Sequence, residues 1–228
     1  MARRVIGGLL ACALALSALA AVAEAAVALT PAGARIAREA LLGGHDLGRG
    51  WSVASPAPVS VPALSCPRFH PRTDAGLQSG AAASATFEDG PSGPFVAQTA
   101  YAFATIAERA RVWRAVVRPA LLGCVAEGLV GGAGEGVDFK VSAKRLLAPG
   151  KLAVAAAGFS VTGSATSNET PTDVYLDAVV LGHGQTITEI SVSGFEEGQV
   201  RSEALRLARI VAGRIARARS ASAAGATR

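Results

Sequence analysis

The sequence predicts an α+β fold, with an antiparallel β-sheet of about five to six strands flanked by helices and one disulfide. Three observations lead there. Segments such as Val137–Ser142 and Val174–Ala178 alternate apolar and polar residues, the signature of a strand with one face on a core. Two other segments repeat their apolar residues at helical spacing, and a third is bounded by a Thr-Pro helix start and a Gly-Gly stop. Their order is helix, two strands, helix, four strands, helix, which groups strands together instead of alternating them with helices as a parallel sheet requires.

The first 26 residues set the compartment. Arg3 and Arg4 form a short basic region, Val5 to about Ala20 is an uncharged Ala/Leu-rich run, and Ala21-Val22-Ala23 or Ala23-Glu24-Ala25 offers small residues for cleavage. Residues 1–25 are therefore expected to be a signal peptide, 26–219 a single extracytoplasmic domain and 220–228 a disordered tail. Two alternatives stay open: an uncleaved anchor, because Val5–Ala23 is nearly long enough to span a bilayer, and lipidation at Cys12. No second apolar run has spanning length.

Cleavage after Ala25 leaves 20 basic against 16 acidic residues, too mild an excess to imply a polyanion, so no nucleic-acid partner is expected. It also leaves two cysteines, Cys66 and Cys124, which in an exported chain are most simply a disulfide. Closing that long loop is worth roughly 4 kcal/mol on the chain-entropy account. A metal or nucleophilic thiol site competes poorly, since neither cysteine belongs to a CxxC unit.

Each element has a local reason. Thr30-Pro31 supplies an N-cap and a first-turn proline for a helix over 31–42, stopped by Gly43-Gly44. His45-Asp46-Leu47-Gly48-Arg49-Gly50-Trp51 follows with tight-turn residues. Residues 52–81, with five prolines, read as an irregular covering segment tied down by Cys66. Ser84–Gly90 and Phe95–Ala104 form a hairpin across Pro91-Ser92-Gly93-Pro94, with Phe95, Ala97, Thr99, Tyr101 and Phe103 on one face. A helix starts near Ile106 with Ile106, Ala110, Trp113 and Val117 as its apolar stripe; Pro119 kinks or restarts it, which puts Cys124 in a short final piece. Gly131–Gly136 breaks the chain before strands at 137–147, 152–161, 173–181 and 185–193, the last two joined across Gly182-His183-Gly184. A helix over 198–218 closes the domain, with Val200, Ala204, Leu207, Val211 and Ile215 buried and Arg206, Arg209 and Arg217 facing solvent. The alternation expects helices on one face of the sheet and a wetter opposite face.

The chemistry-bearing residues are sparse. There is no G-x-S-x-G elbow, and His45, His70 and His183 all sit in Gly- or Pro-rich turns. HExxH and HxxxH spacings are absent, so neither a metal nor any other cofactor is expected. The Gly-rich Gly131–Gly136 stretch lacks the strand, helix and lysine of a phosphate-cradling loop and reads as a linker. Glu196-Glu197 favour the N-terminus of the last helix, which explains them without a catalytic pair.

The succession of features carries more than any motif. A turn ending in Gly50-Trp51, a cysteine closing the 106–124 helical stretch, and the paired strands from Val174 to Val192 resemble the PknH-like extracellular sensor domains of actinobacterial receptor kinases and their secreted relatives. The resemblance implies an antiparallel sheet with flanking helices, a ligand cleft and no catalysis. Those domains carry two disulfides where this chain can form one, Cys66–Cys124. The expectation is thus a secreted, non-enzymatic, monomeric domain binding a small molecule or a cell-envelope component, in contact with a membrane only through an uncleaved N-terminus. Lys140, Tyr175, Asp177 and Glu189 on the wetter sheet face are the candidate ligand contacts. An exported hydrolase with an unfamiliar cleft is the competing reading.

Overall fold

A computed structural model of the chain describes residues 30–56, 78–131, 138–167 and 170–225. The signal segment, Cys12, Cys66 and most of the Gly131–Gly136 break lie outside these residues. In order they form α1 (Pro31–Glu39), α2 (Gly44–Leu47), β1 (Trp51–Ser55), β2 (Gln78–Ala83), β3 (Thr86–Asp89), β4 (Phe95–Phe103), α3 (Ile106–Val116), α4 (Pro119–Gly131), β5 (Asp138–Leu147), β6 (Ala155–Ser167), β7 (Thr170–His183), β8 (Thr186–Gly194) and α5 (Glu197–Gly225). None of these helices is long and apolar enough to cross a membrane.

The α+β expectation holds, but the sheet has eight strands instead of five or six. Their order is β1-β3-β4-β8-β7-β6-β5, with β2 also on β4, and each pairing is antiparallel. The additional strands are β1 and β2, at the two ends of the proline-rich stretch that reads as irregular from sequence. Prolines cluster between these ends, and the ends themselves, Trp51–Ser55 and Gln78–Ala83, hold none and pair freely. β2 and β3 lie end to end along one edge of β4. At the break, Ser84 N–H donates to the Gln98 carbonyl (2.9 Å) and Gln98 N–H donates to Ser84 Oγ (3.0 Å), so the hydroxyl keeps the ladder satisfied.

Both faces of the sheet are covered, which corrects the expected wet face. One core cluster joins Phe95, Tyr101, Phe103, Leu176, Val180 and Ile187 to Val112 and Val116 of α3 and Leu121, Cys124 and Val125 of α4. The other joins Val96, Ala100, Val179, Leu181, Ile190 and Val192 to Ala37 of α1, Leu47 of α2 and Val200, Ala204, Leu207 and Val211 of α5. Alternation in β4, β7 and β8 thus divides residues between two cores, not between core and water.

Helix boundaries follow local chemistry. Thr30 Oγ1 accepts from Gly33 N–H (3.0 Å), and Thr105 makes a capping box with Glu108. The helix expected over 31–42 ends at Glu39, where Gln98 takes over its C-terminal groups: Gln98 Nε2 donates to the Ala40 carbonyl (2.9 Å) and Gln98 Oε1 accepts from Leu42 N–H (2.6 Å). Pro119 restarts the chain as a full helix, so Cys124 lies mid-helix, not in a short end piece. α3 buries Val112 and Val116 and leaves Ile106 exposed, a rotation from the expected stripe; Trp113 packs over the bare Cα of Gly182, where a Cβ would come within 2.6 Å of its ring. The last hairpin turns one residue later than expected, at Gly184-Gln185, with Gly184 at φ 53°.

The expected solvent-facing arginines of α5 divide. Arg209 and Arg217 are exposed, but Arg206 donates to the Asp46 (3.1 Å) and Leu47 (3.3 Å) carbonyls and pairs with Glu203. Arg214 reaches the Leu41 carbonyl and the Asp46 carboxylate. Together they clamp α2 to α5. Burial alone would raise the Asp46 pKa, but Arg214 and the Gly43 N–H hold its carboxyl below the usual range.

Candidate functional site

Strand β8 lies between β4 and β7 in the middle of the sheet, and each of its nine residues is buried. Its sequence Thr-Ile-Thr-Glu-Ile-Ser-Val-Ser-Gly places Glu189, Ser191 and Ser193 on the α3/α4 side, at alternate positions. Thr188, Ile190 and Val192 point to the α5 side. A carboxyl and two hydroxyls therefore run in a row along the sheet face that the α3/α4 cluster covers.

Neighbouring strands complete the row. Thr99 stands opposite Glu189 on β4, Ala97 opposite Ser191 and Phe95 opposite Ser193. On β7 the partners are Val180, Ala178 and Leu176. Tyr101 is the diagonal neighbour of Glu189 on the same face, within reach of a long side chain. Glu189 is 2% exposed, and its Oε1 accepts from Ser191 Oγ at 3.2 Å. Among the described residues, its Oε2 and Ser193 Oγ have no hydrogen-bond partner.

That is an expensive arrangement. A buried carboxylate without a cation disfavours its charged form, and burial pushes the Glu189 carboxyl up to about 8, with the Ser191 hydrogen bond working the other way. Burial together with the nearby Glu189 raises the Tyr101 phenol, so the hydroxyl stays protonated at neutral pH. The row is thus a set of neutral hydrogen-bonding groups at pH 7, with a carboxyl poised to ionise if a positive charge arrives.

The other buried acid shows the usual solution. Asp177, 3% exposed, faces the α5 side of β7. Arg201 Nε donates to Asp177 Oδ2 at 2.8 Å, and Arg201 also reaches Ser160 Oγ (3.3 Å) and Glu197 (3.5 Å). The pair pins α5 to β6 and β7, a structural task.

The four residues singled out from sequence are therefore not brought together. Lys140 is an exposed residue of the edge strand β5, paired with Asp138 at 3.1 Å. Tyr175 and Asp177 share the α5 side, with Tyr175 packed against that cluster. Glu189 is on the opposite side, because its partner Val180 has the other parity from Tyr175 and Asp177. Sequence reasoning missed Ser191, Ser193, Thr99 and Tyr101. The signal was present as three polar residues at i, i+2 and i+4 of one strand, but such a row reads as a wet face until something covers it.

Cys124 is buried on α4. Its expected partner, Cys66, lies outside the described residues. Among the described residues, no three His, Cys, Asp or Glu side chains are grouped to hold a metal ion.

Among solved structures, the chain is similar to the extracellular domain of PknH from Mycobacterium tuberculosis, at 13% identity and a TM-score of 0.35. The match spans 77% of this chain and 96% of that one. No family model matches the sequence, and no curated protein does.

Proposed function

We propose that the chain is an extracytoplasmic, sensor-like, non-enzymatic binding domain for a small molecule or a cell-envelope component. The observation that carries this reading is the Glu189–Ser191–Ser193 row, two of whose polar atoms are buried and have no partner among the described residues. Polar groups left in that condition are what a ligand with matching donors and acceptors would complete. The signal-like residues 1–25 support export, and the export route supports a Cys66–Cys124 disulfide fastening the proline-rich segment to α4.

The neighbours of Glu189 favour binding over hydrolysis. Hydrolysis through this row needs an ionised base at neutral pH, whereas Tyr101 is held as a phenol and the acceptor of the Ser191 hydroxyl, the Glu189 carboxyl, is pushed up to about 8 and is mostly protonated. The test is thermal denaturation of the purified domain with a muropeptide digest, phospholipid vesicles and a panel of small amines and polyols. At least one raises the wild-type midpoint and leaves Glu189→Gln unmoved. Turnover of ester, amide or glycoside reporters by wild type, lost in Glu189→Gln, would replace this reading with the hydrolase.

A further inference from the structure

We propose that the Glu189 row binds a small organic cation, with a ligand ammonium group seated between Glu189 Oε2 and the neighbouring hydroxyls. This inference rests on the binding-domain reading above and specifies its ligand class.

The two faces of the sheet supply the argument. Asp177 and Glu189 are almost equally buried, on adjacent strands and opposite faces. Asp177 has a guanidinium on it at 2.8 Å. Among the described residues Glu189 has no such cation, and one of its oxygens is unpartnered. Elsewhere the chain has built a partner for the same kind of group, so the missing positive charge is the distinguishing feature of the Glu189 side.

The surroundings suit an ammonium better than another anion or a purely apolar group. Ser191 Oγ, Ser193 Oγ and Thr99 contribute oxygens along one face, and an ammonium is a donor with no acceptor, so oxygen lone pairs are what it requires. Tyr101 places an aromatic ring diagonally beside the carboxyl, a second favourable surface for a desolvated cation. Among the described residues, the neighbours of Glu189 on the adjoining strands are Thr99 and Tyr101 from β4 and Val180 from β7. Arg109 of α3, the helix packed against β4 and β8, donates from Nε to the Gly184 carbonyl at the hairpin (3.1 Å). Ser193 lies about 13 Å from Glu189 along the strand, so a ligand with a hydrogen-bonding group at its far end would satisfy both orphans.

Binding a cation here has a measurable proton signature. The carboxyl is largely protonated at pH 7 without ligand, with its pKa pushed up to about 8, and pairing with an ammonium drives it to ionise. The carboxyl proton leaves to buffer as the N–H···O contact forms.

The experiment titrates the mature domain with ethylammonium chloride, matched against ethanol as the neutral analogue and potassium chloride as the inorganic control. Thermal midpoints are followed together with calorimetry at pH 7 in two buffers of different ionisation enthalpy. Ethylammonium raises the midpoint and releases protons, while ethanol and potassium do neither. Glu189→Gln, which keeps the shape and removes the ionisable group, binds about tenfold or more weakly and releases none. Ser191→Ala gives a smaller loss and serves in its place if the Gln variant does not fold.

Equal stabilisation by ethanol would overturn the cationic class in favour of a neutral polar ligand, and equal stabilisation by potassium would replace it with an inorganic cation. If ethylammonium is silent while a muropeptide digest or vesicle stabilises wild type through Glu189, the ammonium class fails and the binding-domain reading stands. If no probe distinguishes wild type from Glu189→Gln, both fail together.

Discussion

Glu189→Gln tests the electrostatic account of the interior directly, through the pH dependence of stability without ligand. The folded-state carboxyl is pushed up to about 8 from an ordinary value of 4.5, because ionisation in the apolar cluster is disfavoured. A pKa raised by folding contributes stability that is fully present below the unfolded value and is lost as pH rises through the folded one. Each pH unit between those values is worth roughly 1.4 kcal/mol, so wild type loses on the order of 3 kcal/mol by pH 7 and somewhat more by pH 8. The group is fully buried, so solvent screening takes little from this figure. Glutamine cannot ionise and should show none of this slope. The assay is urea denaturation of both proteins at pH 5, 6, 7 and 8, comparing midpoints at constant slope. The wild-type midpoint falls relative to the variant across this window, and the two converge toward pH 5. Parallel curves from pH 5 to 8 would refute the claim that Glu189 is buried without a compensating cation.

Four further outcomes follow from other parts of the fold. Gln98→Leu leaves the Ala40 carbonyl and the Leu42 N–H buried without their partner, costing about 3 kcal/mol or more by chemical denaturation, with the loss centred on α1 in hydrogen exchange. Gly33→Ala puts a Cβ within 2.0 Å of the Ser79 carbonyl oxygen on β2 and should cost about 1–3 kcal/mol as α1 is forced off the sheet, while the exposed control Gly44→Ala, with open space at its Cβ, costs less in the same melt. Arg201→Ala strands a buried Asp177 carboxylate and should destabilise by roughly 3 kcal/mol at neutral pH; a companion Asp177→Asn that restores much of the loss would confirm that charge is responsible. Intact mass spectrometry of protein recovered from medium and envelope should show removal of about 25 residues and a loss of one hydrogen pair for Cys66–Cys124; unaltered thiols in exported protein would overturn the disulfide.

Much of the local structure is legible because short-range chemistry decides it. Thr30-Pro31 and Thr105-x-x-Glu108 mark two helix starts, and both caps form as their residues require. Gly48 and Gly50, in the turn before Trp51, adopt φ of 94° and 97°, a backbone that side chains resist. Three of the four C-terminal strands are recognisable to within about three residues, whereas the one expected over 152–161 runs on to Ser167. Strands β1 and β2 were not, since each is short and flanks a proline-rich stretch, and pairing with β3 and β4 is what makes them strands.

The candidate site shows where local reading stops. Sequence alone determined that β8 carries Glu189, Ser191 and Ser193 on one face, because period 2 is a property of the backbone. It could not determine whether that face meets water or a core. The tertiary structure decided it, by setting α3 and α4 over one side and α1, α2 and α5 over the other. The same decision separated Glu189 from Tyr175 and Asp177 by one step of strand parity and set Arg201 on Asp177 rather than on Glu189. Burial and charge pairing are sums over residues far apart in the chain, and a local pattern cannot contain them.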